Sequence, residues 1–181
     1  MVLDIGPGFG EILPRVDANC ITAMYGAKPT NNPHKDLLRN AQKKGFDDKY
    51  HTLLCGAESK SPIPALHKGG ILEVSGRAGL GSDGVFDEVC CVRVLYSVPQ
   101  PQETISGLYN LLEPGGHMII CEHGVNPWRT KGHILARLMQ FVYTLLGWPF
   151  FGGGCELQRQ TSDFLDRRRV GQVRIEVLRA Q

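Results

Sequence analysis

Three glycines at alternate positions, Gly6, Gly8 and Gly10, follow the short apolar run Val2–Ile5, and the carboxylates Asp4 and Glu11 flank them. Glycines so spaced let the backbone turn sharply and approach a ligand closely. A dinucleotide-binding turn needs G-x-G-x-x-G, and its last position here is Glu11. No Gly-Lys-Ser/Thr follows, which removes a triphosphate-binding loop. Acids at a strand–helix junction also repel a pyrophosphate. The charges suit a cationic or zwitterionic ligand instead. The same residues could equally form a structural tight turn at a strand end.

A second reactive group comes much later, where Cys121, Glu122 and His123 are consecutive. His123 is the candidate general base, because an imidazole titrates near neutrality. Glu122 would orient it or face a ligand. The alternative for His123 is a loop histidine satisfied by backbone or water. No metal site is expected here, since consecutive strand residues point to opposite faces. Cys155 reads as a small packing residue.

The elements that must position these residues alternate between strand and helix patterns. Strands are expected at Val2–Ile5, Ile21–Tyr25, Tyr50–Cys55, Val85–Val94, His117–Glu122 and Gln172–Leu178. A stunted helix is expected over Glu11–Val16, broken near Pro14. Fuller helices are expected over His34–Lys44, Gln102–Leu112, His133–Leu146 and Thr161–Arg168. Residues 59–84 read as a long irregular connection, and Glu113–Gly116 as a turn. Such alternation predicts βαβ units and a mainly parallel sheet. Ligands of such sheets sit at the carboxyl ends of the strands, here after Ile5, Tyr25, Cys55, Val92 and Glu122.

The 181 residues fit one domain, with residues 1–124 expected to form the cofactor-binding part and 125–181 a substrate-side helix and final strand. A net charge of +2 gives no electrostatic case for nucleic acid. The apolar stretch Ile134–Phe151 is interrupted by Arg137, Gln140, Gly147 and Pro149, which makes a poor membrane span. It reads instead as a lid helix facing a hydrophobic small molecule. The six cysteines include no C-x-x-C pair, and four lie in strand-like runs. Reduced thiols in a cytoplasmic protein are the expectation. The oligomeric state is left open.

Four segments, in order along the chain, carry a resemblance. They are VLDIGPGFG, GAES (Gly56–Ser59), FDEVCCVRVLYSVPQP (Phe86–Pro101) and LLEPGGHMIICEH (Leu111–His123). The sequence resembles the class I S-adenosylmethionine-dependent methyltransferases, in the small-molecule branch that includes ubiquinone-biosynthesis and thiol methyltransferases. The resemblance implies an α/β fold, a Rossmann-like three-layer sandwich around a mainly parallel sheet. It implies methyl transfer from S-adenosylmethionine to a small apolar acceptor, in a range that reaches secondary metabolism. Asp4, Gly6, Gly8 and Gly10 would contact the cofactor's amino-acid moiety, Ala57 and Glu58 its adenine, and Val92 its sulfonium or adenosine. A solvated loop acid is the alternative for Glu58, and Asp87 would be structural.

The sequence departs from that pattern in three places. The family's acid at the end of strand two, which receives the ribose hydroxyls, is replaced by Lys28, and Tyr25 or Thr30 would compensate in part. The family's first helices have no counterpart before Val2, nor its last strand after strand six. A methyltransferase-like protein without catalytic activity is therefore the alternative.

Overall fold

The computed structural model describes residues 1–29, 35–56, 66, 84–122, 133–151, 157 and 176–177. Six strands form one sheet: β1 (Val2–Ile5), β2 (Met24–Lys28), β3 (Tyr50–Leu54), β4 (Phe86–Val92), β5 (Leu112–Cys121) and β6 (Glu176–Val177). Their order is β3-β2-β1-β4-β5-β6, and every neighbouring pair is parallel. The described helices are α1 (Lys35–Lys43), α2 (Pro101–Tyr109), α3 (Ile134–Leu145) and the short α4 (Trp148–Phe151).

Strand alternation divides the core between the two faces of the sheet. On one face Leu3, Ile5, Val89, Cys91, Met118 and Ile120 pack with Ile105 and Leu108 of α2. On the other, Val2, Met24, Tyr50 and Cys90 pack with Leu37 and Ala41 of α1, and with Phe46 just beyond it. Central strands covered on both sides read as continuous apolar runs, and β1 is buried throughout. This is the expected α/β architecture, with a mainly parallel sheet between helical layers.

Several boundaries differ from the sequence reading, each for a local reason. The second strand begins at Met24 rather than Ile21. Asp17 caps a 3-10 turn over Ala18–Cys20, its carboxylate accepting from the Asn19 N–H at 2.9 Å, and Ile21 closes that turn through the Ala18 carbonyl. The stunted helix shrinks to a 3-10 turn at Leu13–Arg15, with Pro14 in its first turn. The fifth strand starts earlier, at Leu112, because β5 absorbs the expected turn as a bulge. Phe86 pairs with Leu112 but Glu88 with His117, so the residues between Leu112 and His117 loop out of register.

Helix α3 matches the expected span, yet none of its residues is buried. Leu135, Phe141 and Leu145 are among the large apolar side chains it exposes. No described helix is long and apolar enough to cross a membrane. The expected helix at Thr161–Arg168, Cys155 and nearly all of the 59–84 connection lie outside the described residues.

Gly84 enters β4 against the backbone of Leu111 and Leu112, where a Cβ would collide with main-chain atoms of both. Main chain inside a sheet cannot move aside as a side-chain tip can. Gly84→Ala should therefore destabilise the fold by about 1–3 kcal/mol, read as a lower urea midpoint at unchanged slope.

Candidate active site

The order of the sheet reverses direction between β1 and β4. Loops leaving their carboxyl ends diverge to opposite sides and open a crevice, the usual ligand position in parallel sheets. A cavity of about 670 Å³ lies there. Asp4, Gly6, Gly8 and Glu11 line it from the first turn, Lys28 from the end of β2, and Val92, Arg93 and Val94 from the end of β4.

Gly6, Gly8 and Gly10 have φ of +64°, +54° and +89°, the left-handed region where a side chain is strained. Gly6 is also closed to a side chain by contact, because its Cβ would strike Val94. The turn is pinned by the Gly6 N–H on the Ala27 carbonyl at 2.9 Å and the Gly10 N–H on the Pro7 carbonyl at 2.7 Å. Gly10 does not line the cavity; it packs toward Leu13 and Leu37.

Asp4 is 1% exposed, and its Oδ2 has no hydrogen-bond partner among the described residues. An ionised carboxylate so placed is costly. Burial first, and the charge of Glu11 second, raise its pKa to about 7. Tyr50, Cys90 and Cys91 all feel the charge of Asp4, and burial pushes the pKa of each upward. Asp4 thus stands among acids and weak acids, a place that favours an incoming cation.

Glu122 lies just beyond β5, and its Oε1 accepts from the N–H groups of Val94 and Leu95 at 2.6 and 2.7 Å. These bonds hold the loop that forms the cavity's β4 wall. Tyr25, read from sequence as a cofactor contact, does not line the cavity. The later start of β2 places it at the second residue of the strand rather than the last. Its ring meets Phe86 edge-on at 6.0 Å and His51 at 5.1 Å. Val92 is at the cavity, as is Lys28, which is 8% exposed. Ala57, Glu58, Thr30 and His123 lie outside the described residues. No residue of α3 lines the cavity, so the expected lid helix does not cover it in this structure.

Sequence reading missed Arg93 and the wall that follows it. Arg93 has φ of +54°, the one non-glycine residue in this region among those described. Its guanidinium forms an ion pair with Glu11 across the mouth of the cavity. Nothing in the spacing of FDEVCCVRVLYS marks that backbone state.

The fold is an α/β domain whose cavity lies at the switch point where parallel sheets usually take ligands. The chain belongs to the methyltransferase domain family, whose match extends over residues 1–181. Thiol S-methyltransferase TMT1B of Rattus norvegicus is 27% identical over 95 residues, which cover 52% of this chain and 37% of the rat protein. Its Mus musculus counterpart is 28% identical over 95 residues with the same coverage. The matched stretch thus spans little more than a third of these relatives. Among solved structures, a Bacillus halodurans protein assigned as a methyltransferase gives a TM-score of 0.61 at 16% identity, covering 91% of this chain and 58% of that one. The YcgJ protein of Bacillus subtilis gives 0.57 at 17% identity, with coverage of 91% and 58%. These two similarities show the class I methyltransferase fold.

The raised pKa of Asp4 fixes the sign of a pH effect. An acid whose pKa rises on folding favours the folded state while protonated. That contribution is complete below the unfolded value of about 4 and is lost as pH rises through about 7. Asp4→Asn should therefore be more stable than the wild type at pH 8, by up to about 4 kcal/mol, and nearly equal to it at pH 4. Urea unfolding of both proteins across that range checks the crossover.

Proposed function

We propose that this domain binds S-adenosylmethionine in the switch-point cavity and transfers its methyl group to a small apolar acceptor, with thiols as the first class. The buried, unpartnered Asp4 carboxylate oxygen beside a glycine turn carries the reading. It suits the ammonium of the cofactor's amino-acid end, and the absence of a side chain at Gly8 leaves its backbone open to close approach. The volume lies within the ordinary range for small-molecule sites.

S-Adenosylmethionine supplies an electrophilic methyl carbon on a sulfonium leaving group. The acceptor's nucleophilic atom would bond to that carbon as the carbon–sulfonium bond breaks, releasing S-adenosylhomocysteine, with the acceptor's proton already given up to solvent. Alignment is the protein's main task in such a displacement. Val92, Val94 and Val98 provide an apolar wall, and Glu122 holds that wall in place by its two backbone contacts. With Glu122 so engaged, an acceptor that ionises easily has the advantage. A thiol, with an ordinary pKa of about 8.5, is a few per cent thiolate at neutral pH. The rat and mouse relatives, matched over 37% of their length, are named thiol S-methyltransferases, which supports the same choice.

One observation favours a second reading, a methyltransferase-like domain without catalysis. Lys28 occupies the end of β2 and lines the cavity, where the family resemblance calls for an acid. An ammonium has donors only and cannot accept the ribose hydroxyl hydrogens.

Calorimetric titration with S-adenosylhomocysteine separates these readings. Micromolar binding is expected for the wild type, with about tenfold loss in Asp4→Asn from the missing charge-assisted bond. Lys28→Glu should tighten binding by about tenfold. Transfer of labelled methyl from S-adenosylmethionine to an aryl or alkyl thiol should follow. A folded wild type that binds nothing would reject the enzymatic reading, and binding without transfer to any acceptor class would favour the second one.

A further inference from the structure

We infer that Arg93 is a specificity-determining residue that grips the carboxylate of an α-amino-acid ligand whose ammonium meets Asp4. The inference rests on the proposed binding of S-adenosylmethionine, whose amino-acid end carries both charges.

The backbone at Arg93 is the first observation. A left-handed conformation at an arginine costs on the order of 1 kcal/mol and persists only where its surroundings enforce it. Here they do: the Arg93 N–H donates to the Cys121 carbonyl at 2.8 Å, and Glu122 holds the next two N–H groups. The main chain is fixed on both sides, which sends the side chain back over the glycine turn.

The second observation is what the guanidinium does there. It lines the cavity, its side chain is 47% exposed, and it meets Glu11, itself 42% exposed, through Nη2. A half-exposed pair of this kind contributes only about 0–1 kcal/mol to stability. A guanidinium has five N–H donors in a planar fork. Pairing with Glu11 through one nitrogen leaves others to take a ligand carboxylate, the geometry for which arginine is best suited.

The third observation is the separation of charge across the cavity. Glu11 is the acid whose field reaches Asp4. By engaging Glu11, Arg93 draws one acid to the rim and leaves Asp4 to receive the ammonium. The two ends of a zwitterion then meet opposite charges. Among the described residues Lys28 is the other cation lining the cavity, but it is 8% exposed and ends β2, on the opposite side of β1 from the β4 wall.

Two probes test this directly by calorimetry: S-adenosylhomocysteine, and its decarboxylated amine analogue, which keeps the ammonium and nucleoside. The wild type should prefer S-adenosylhomocysteine by about tenfold. Arg93→Gln should lose that preference, weakening S-adenosylhomocysteine about tenfold while leaving the amine unchanged, and Arg93→Lys should recover part of it. Arg93→Asn guards against misfolding, because asparagine adopts positive φ readily; it should behave as Arg93→Gln does. Equal weakening of both probes, or no change in either, would overturn the role of Arg93 while leaving cofactor binding intact. If the folded wild type bound neither probe, the proposed function would fall and this inference with it.

Discussion

Parallel pairing of β1 with β2 on one side and β4 on the other is the constraint on which the site depends. The register sets Asp4 beside Gly26 and Cys90, and Ile5 beside Ala27 and Cys91. All of β1 is buried, so a slip by one residue would turn Asp4 into the opposite core face, against Val89, Cys91 and Met118, and turn Leu3 and Ile5 away from that face. The same pairing makes the turn after Ile5 and the loop after Val92 leave the sheet side by side. Their divergence creates the cavity, and neither loop could form it alone.

The parts of this arrangement governed by local chemistry were legible in the sequence. Apolar runs marked β1 and β4, the glycine spacing marked the first turn, and Gly45 ended α1 close to where the helical pattern stopped. What the sequence could not show depended on competition between neighbouring motifs. The run at Ile21–Tyr25 has strand character, but the Asp17-capped turn uses its first residue and shifts the strand to Met24. That shift moves Tyr25 away from the ligand and leaves Lys28 at the strand's end. Arg93 was hidden for another reason. Its backbone state is imposed by Cys121 and Glu122, residues distant in sequence that reach it only through the pairing of β4 with β5. The candidate acid Glu122 was found from its position, but its engagement with the β4 loop is a tertiary fact.

Three carboxylates near the carboxyl ends of the central strands have thus been given different tasks by their surroundings. Glu122 is committed to two backbone N–H groups and braces a wall. Glu11 is committed to Arg93 and shapes the rim. Asp4 has neither kind of partner and is the most deeply buried of the three. Identical chemistry yields a brace, a rim and a receptor, according to whether donors lie within reach. Sequence alone treats all three as acids near a ligand loop.

The cost of leaving Asp4 without a partner also makes binding self-consistent. In the empty domain its carboxyl holds a proton into the neutral range, since burial and the field of Glu11 oppose ionisation. An arriving ammonium reverses the balance, because a cation within hydrogen-bond reach favours the charged carboxylate. The ligand therefore has to displace a proton as well as water, and part of its intrinsic attraction is used in doing so. Under the proposed function a cation would be rewarded here and a neutral ligand would not, so the stability sacrificed at Asp4 would become discrimination. Any ligand that binds only the folded state returns stability by mass action, and under the proposed function a positively charged ligand would return the most.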